Sequence, residues 1–129
     1  MKSSPLNPND IPSVSSLRDN PCFDTDSTIA ALDVLADDGI SYLLPYAQFL
    51  SAERTSNPAL EKEPDAPPEK ILIHFARADV IVLGCGLNTL ERAIQKYELK
   101  SVKSVDRRLA AMLKTHVAAL TVTLTEEEA

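Results

Sequence analysis

The chain has 129 residues, which is long enough for one domain with a core of its own and too short for two ordinary domains. Its formal net charge of −6 at pH 7 argues against a surface built to neutralise nucleic-acid phosphates, which would need clustered Lys and Arg. Its two cysteines, Cys22 and Cys85, supply neither a disulfide framework nor a tetrahedral zinc site, and no apolar run approaches the length of a membrane span, so we expect an acidic, soluble, cytoplasmic protein.

Residues 1–27 are rich in proline, serine, asparagine and aspartate, and their apolar residues stand alone. Such a segment buries too little surface to offset the entropy that it would lose on ordering. It is predicted to be a flexible, disordered arm, with Cys22 and Phe23 as the place where it would contact the domain. The arm is either a solvated tail or a docking peptide for a partner.

Residues 28–125 are predicted to form a single small domain that opens with a hairpin around Asp37-Asp38-Gly39. Asp-Gly between two apolar runs indicates a hairpin because both residues tolerate the positive φ of a type I′ turn. The alternative is a short helix over Thr28–Ala36, whose apolar residues also share a helical face. Pro45 has no N–H to donate, so the second strand is expected to lie at an edge or to bulge there.

Residues 56–69 hold four prolines and four acidic residues without any periodicity, which indicates a loop. A loop of this length in a small domain is either a mobile flap or an insertion at the end of a hairpin. A flap would close over a site, whereas an insertion is a tolerated surface excursion.

The most apolar part of the chain lies between Ile71 and Leu83. Ile71–Phe75 and Val80–Leu83 are short runs rich in β-branched residues, as buried strands are. The link from Ala76 to Asp79 is too short for the crossover that parallel strands require. The two strands are therefore predicted to form an antiparallel hairpin.

Two helices and two strands are predicted after this hairpin. The first helix covers Asn88–Leu99, with Asn88 as N-cap and Glu91 in position for a capping box. The second covers Arg107–Ala119 and is capped by Asp106. Short strands are expected at residues 100–105 and 120–125. The predicted fold class is α+β: a mainly antiparallel sheet, built from hairpins, with two helices packed on one face.

One segment, Val80-Ile81-Val82-Leu83-Gly84-Cys85-Gly86, resembles the nucleotide-binding turn of Rossmann-type proteins and the glycine loop of S-adenosylmethionine-dependent methyltransferases. The resemblance implies that Gly84 and Gly86 let backbone approach a ligand at a helix N-terminus, and that Asp106 holds its ribose hydroxyls. Thr89 stands where the dinucleotide fingerprint has glycine or alanine, and the resemblance covers about thirty residues. The alternative is that the glycines only allow a sharp turn from strand to helix.

The remaining reactive side chains form no recognisable catalytic or metal motif. Cys85 precedes a helix and would need His74 or His116 as a base, but neither spacing indicates that they meet. Burial as a small apolar residue is the simpler role for Cys85, and structural roles are simpler for both histidines. We therefore predict neither catalytic nor metal-binding residues.

These observations favour a non-catalytic binding or adaptor module that contacts a protein partner or forms a homodimer through an open strand edge, and binds neither nucleic acid nor membrane. The alternative function is binding of a nucleotide-like cofactor, S-adenosylmethionine or a dinucleotide, at Gly84-Cys85-Gly86. Whether the chain is an enzyme is left open by the sequence, although the absence of paired catalytic groups argues against it.

Overall fold

Several segments of the chain alternate buried and less buried residues and form strands. The computed structural model describes residues 20–125, and within them it contains eight strands, one α-helix and three short 3-10 helices. The strands are β1 (Phe23–Thr25), β2 (Ala31–Leu35), β3 (Ser41–Pro45), β4 (Phe49–Ser56), β5 (Glu69–Phe75), β6 (Ala78–Cys85), β7 (Leu99–Lys103) and β8 (His116–Leu124). Helix α1 is Asn88–Gln95, and the 3-10 helices are Tyr46–Gln48, Pro58–Glu61 and Arg107–Met112.

The strands form two four-stranded sheets. Sheet A has the order β1-β7-β2-β3, and sheet B has the order β4-β5-β6-β8. Every neighbouring pair is antiparallel except β2 and β7, which run parallel. The predicted α+β class with mainly antiparallel pairing is therefore confirmed, but the strands divide between two sheets where one was expected.

The central hairpin is confirmed. Strands β5 and β6 pair antiparallel, with Ile73 opposite Val80 and Phe75 opposite Ala78. Their inward side chains are almost completely buried, and these side chains join both sheets and α1 in one apolar cluster. Burial of each large aliphatic side chain contributes about 1.5–3 kcal/mol, which is why this hairpin anchors the fold.

The first hairpin is also confirmed, but its turn differs from the predicted type. Ala36 and Ile40 close the loop through an N–H···O bond of 3.0 Å, which leaves three residues in the turn. Gly39 alone among them has a positive φ, of +88°, whereas a type I′ turn requires two such residues. A glycine in the left-handed region at the last position is typical of a three-residue hairpin loop with a bulge.

Helix α1 is shorter than predicted. Its N-cap is Leu87 and not Asn88, and the helix ends at Gln95 because Tyr97 adopts a left-handed conformation with φ +57°. The Tyr97 N–H donates to the Ile94 carbonyl (2.9 Å) and the next N–H donates to the Ala93 carbonyl (2.8 Å). This pair of bonds is a Schellman termination, in which the left-handed position is usually glycine.

The second predicted helix, over Arg107–Ala119, is wrong. Only Arg107–Met112 is helical, as a 3-10 helix, and β8 begins at His116. The face on which Val117 and Leu120 were expected to lie in a helix is instead the buried face of a strand paired with β6. Pairing with the apolar strand β6 leaves Val117 and Leu120 fully buried, and this packing favours a strand over a helix here. Within residues 20–125 the predicted packing of two helices on one face is therefore not confirmed.

The two segments predicted to be irregular are partly ordered. In residues 20–27, which belong to the predicted arm, Cys22 is fully buried and β1 pairs with β7, so the folded region begins earlier than expected. Residues 1–19 of that arm lie outside the described residues. The loop at 56–69 joins β4 to β5 at the end of a hairpin. The Asn57 side-chain amide links the two ends of this loop by donating to the Pro67 carbonyl (2.8 Å).

Residues 20–125 include no helix with the length and apolarity that a membrane span demands.

Candidate functional site

The turn at Gly84-Cys85-Gly86 is shaped by the approach of a neighbouring backbone. A Cβ atom on Gly84 would overlap the His116 carbonyl oxygen, and a Cβ on Gly86 would overlap the Lys114 carbonyl oxygen. Gly86 also needs its positive φ of +64°. Lys114 and His116, just before and at the start of β8, thus occupy the space beside both glycines.

The N-terminus of α1 already holds a negative charge. The Leu87 N–H donates to the Glu69 carboxylate at 2.9 Å, so a side chain of β5 caps the helix from outside it. A carboxylate is favourable there because of the helix dipole, and it repels a phosphate from the same position. This geometry gives no support to the predicted nucleotide site at Gly84 and Gly86.

Asp106, the predicted ribose ligand, caps a 3-10 helix. Its carboxylate accepts from the Arg108 backbone N–H at 2.8 Å and from the Arg108 Nη2 at 3.0 Å. These bonds, led by the backbone N–H, lower the pKa of Asp106 below its ordinary value. The carboxylate is thus engaged within its own segment.

The structure brings together Cys85 and His116, which the sequence did not pair. They lie directly opposite each other on β6 and β8, so their side chains share a face of sheet B. Both line a cavity of about 440 Å³ between Arg107 and the loop at 65–68. The His116 Nε2 must carry a proton because it donates to the Val105 carbonyl at 2.8 Å, which leaves Nδ1 as the only basic atom of a neutral ring.

The other cysteine is structural. The Cys22 Sγ accepts a hydrogen bond from the Val117 N–H at 3.3 Å, and burial raises the pKa of this thiol. A buried thiol of this kind is inert. Nor do residues 20–125 contain a cluster of three or more His, Cys, Asp or Glu side chains suited to a metal ion.

A second concave surface lies between the edge of sheet B and helix α1, and we call it the β4–α1 groove. It measures about 650 Å³. Its lining residues are Phe49, Ser51, Ala52, Arg54, Asn88, Glu91, Arg92, Ile94, Gln95 and Tyr97. Strand and helix are tied together across it by the Arg54 Nε and Glu91 Oε1 ion pair at 2.8 Å.

The open end of this groove is aromatic. The Tyr97 ring stacks on Tyr46 with centroids 5.1 Å apart and meets Phe49 edge-on at 5.7 Å. The Tyr46 hydroxyl donates to the Leu99 carbonyl at 2.6 Å, which holds the Tyr46 ring in place. Burial raises the pKa of Tyr46 to about 12. Tyr97 is therefore held on a rigid base with half of its surface exposed.

Sequence reasoning missed the groove entirely. Residues 51–55 show no apolar alternation, because β4 is an edge strand with charged side chains, so the local pattern does not indicate a strand there. Nothing local marks Tyr97 as left-handed, since glycine is the usual signal for that conformation. The groove depends on long-range placement of α1 beside β4.

Comparisons of the chain with models of protein families, with curated proteins and with solved structures gave no match in any of the three.

Proposed function

We propose that this protein is a non-catalytic binding module that captures an extended segment of a partner protein as an additional strand on β4, within the β4–α1 groove. The observation that carries the proposal is the open edge of β4, which is eight residues long and has a helix standing beside it. Strand addition of this kind takes its affinity from backbone hydrogen bonds and its specificity from the pockets for alternate side chains.

The hydrogen-bonding groups of β4 support this proposal. The Asn57 N–H donates to the Pro68 carbonyl at 3.0 Å, so these two residues form a hydrogen-bonded pair of the antiparallel ladder between β4 and β5. Because residues alternate along such a ladder, Ala52, Arg54 and Ser56 direct their N–H and C=O groups away from β5. An added strand would pair with this row of donors and acceptors.

The other sheet edges are shorter or covered. Strand β1 has three residues and β3 has five, the last of which is Pro45. The edge of β8 is blocked where Asp37 accepts from the Leu120 N–H (3.0 Å) and donates its own N–H to the Leu120 carbonyl (2.9 Å). Among the strands at residues 20–125, β4 therefore offers the longest open edge.

Charge at the middle of β4 disfavours a second copy of the chain as the occupant. A two-fold pairing of β4 with itself, centred on Glu53, sets Glu53 against its own copy, and centring it on Arg54 does the same for that residue. Like charges directly opposite each other destabilise a strand pair. A second copy is therefore disfavoured in these two central registers, whereas a segment of a different protein avoids the repulsion.

The test is a binding measurement on short peptides selected from a random display library against the full chain. Ala52→Pro removes one outward N–H without touching the ladder to β5, and edge strands tolerate proline at such a position. Ala52→Gly, which keeps the N–H, is the matched control. We expect Ala52→Pro to weaken the selected peptides by about tenfold relative to Ala52→Gly, the effect of about one lost hydrogen bond.

A library that yields no binding peptide, or peptides that bind the two variants equally, would contradict the proposal. The alternative function is tested in parallel by thermal unfolding with S-adenosylmethionine, NAD and ATP. We expect no rise in the melting temperature, because backbone and Glu69 occupy the positions that a phosphate would need. A rise of several degrees with one of these three compounds would favour the cofactor function instead.

A further inference from the structure

The β4–α1 groove carries an unbalanced positive charge. Of its three ionic side chains, Arg54 and Glu91 neutralise each other through their 2.8 Å contact. The Arg92 side chain is exposed and has no ion pair or hydrogen bond within residues 20–125. The groove thus has a local charge of opposite sign to the chain as a whole, whose net charge is −6. The complement of Arg92 is a carboxylate.

The apolar end of the groove has an unusual origin. Tyr97 holds a left-handed conformation that costs a residue with a side chain about 1–2 kcal/mol. Such strain persists where the surroundings over-determine the conformation, here through the helix termination and the stacked ring of Tyr46. Its result is a half-exposed aromatic ring beside Phe49, against which a large apolar side chain would pack.

The apolar and charged features lie at different points along β4. Arg54 contacts Glu91 near the start of α1, whereas Phe49 contacts Tyr97 just after its end, so strand and helix run in opposite directions. A captured strand therefore passes both the aromatic end and Arg92. Only every second side chain of that strand faces the helix.

We infer that the captured segment is acidic: it carries a large apolar anchor that packs on Tyr97 and Phe49, and a carboxylate for Arg92, at an even spacing along the same face. This inference rests on the proposed strand addition and specifies the partner's chemistry. The even spacing follows because both side chains must point towards α1. The order of anchor and carboxylate depends on whether the added strand runs parallel or antiparallel to β4.

The test uses fluorescence polarisation with the full chain and labelled peptides of alternating Val and Thr that contain one Phe and one Glu. In one pair of peptides Phe and Glu occupy alternate positions, in both orders, and in a second pair they are one position further apart. We expect tight binding only for an evenly spaced peptide. Replacing its Glu by Lys should weaken binding by about tenfold, since an exposed ion pair is exchanged for a repulsion.

Protein variants identify the groove residue. Arg92→Glu should reverse the preference, so that the Lys peptide binds better than the Glu peptide. Lys96→Glu changes the net charge equally at the C-cap of the same helix but outside the groove lining, and should leave the preference intact. Tyr97→Gly keeps a conformation suited to φ +57° and should weaken the Phe peptide by about fivefold to tenfold through loss of the ring contact.

The outcomes separate the two proposals. If Ala52→Pro weakens binding but Arg92→Glu leaves the preference for Glu unchanged, strand addition stands and the acidic partner is ruled out. Equal binding of evenly and oddly spaced peptides likewise overturns the inferred pattern. If Ala52→Pro has no effect on any bound peptide, strand addition itself is wrong, and this inference falls with it.

Discussion

Replacing Tyr97 tests whether the end of α1 is strained as the structure describes. We compare Tyr97→Ala with Tyr97→Gly, because both remove the same ring contacts with Tyr46 and Phe49. Each aromatic contact contributes about 0.5–1.5 kcal/mol, so both variants should lose about 1–3 kcal/mol of unfolding free energy from the ring alone. They differ only in the backbone.

This backbone difference should reverse the usual order of stability, in which an Ala variant is more stable than the Gly variant. At an ordinary helical position Gly is about 1 kcal/mol less stable than Ala. At φ +57° the Cβ of Ala meets the steric cost of the left-handed region, about 1–2 kcal/mol, whereas Gly meets none. After the larger chain entropy of unfolded Gly is subtracted, we expect Tyr97→Gly to be about 1 kcal/mol more stable than Tyr97→Ala.

Urea unfolding followed by circular dichroism measures this difference, since the chain has no tryptophan for fluorescence. Arg92→Gly and Arg92→Ala, at an exposed position inside α1, are the control pair and should show the ordinary order, with Ala more stable. If Tyr97→Ala proves at least as stable as Tyr97→Gly while the control pair behaves normally, the left-handed termination is refuted.

Three further predictions concern the core and the thiols. Gly84→Ala should lower the free energy of unfolding by more than about 3 kcal/mol because the new Cβ meets backbone, whereas Gly39→Ala, in open space, should lower it by about 1 kcal/mol. Chemical denaturation compares the two variants, and equal losses would contradict the close approach of backbone to Gly84. The Tyr46 phenol has a pKa of about 12 in the folded state, above its ordinary value of about 10, so its stabilising effect is complete below pH 10 and is lost as pH rises towards 12. Tyr46→Phe should flatten this part of a plot of unfolding free energy against pH. An unchanged slope would count against burial of the phenol. A thiol reagent should modify half-buried Cys85 in the native protein and Cys22 only on unfolding, as mass spectrometry of the labelled peptides would show; early labelling of Cys22 would argue that β1 is not docked.

Local signals in the sequence were enough for both hairpins. The runs flanking Asp37-Asp38-Gly39 and those flanking Ala76–Asp79 contain apolar residues and turn chemistry within a few positions of each other, so their pairing needs no distant information. The turn type at Gly39 was missed because a third residue enters the loop, and loop length depends on which residues pair.

Long-range pairing decided the elements that were predicted wrongly. The spacing of Leu109, Leu113, Val117 and Leu120 fits a helical face, and that pattern is real in the sequence. However, His116–Leu124 has β6 as an antiparallel neighbour, and a neighbour distant in sequence is invisible to a local pattern. For the same reason the sequence could not indicate that Cys85 would face His116.

The predicted site residues show the limit of motif reasoning. Gly84 and Gly86 were predicted to let backbone approach a ligand, and the structure places the backbone of His116 and Lys114 beside them. Small residues mark a close approach without saying what approaches. The groove that we propose as the binding site contains no motif, because an open edge is a property of the assembled sheet.

The most direct test of strand addition is hydrogen exchange at the outward-facing amides of β4. Backbone amides of Ala52, Arg54 and Ser56 should exchange rapidly in the free protein and become strongly protected when a selected peptide is bound, while those of Glu53 and Thr55, already paired with β5, should change little. This alternating pattern, resolved residue by residue by NMR, is what an added strand produces. Binding without it, or with protection confined to residues near Gly84 and Gly86, would contradict the proposed function.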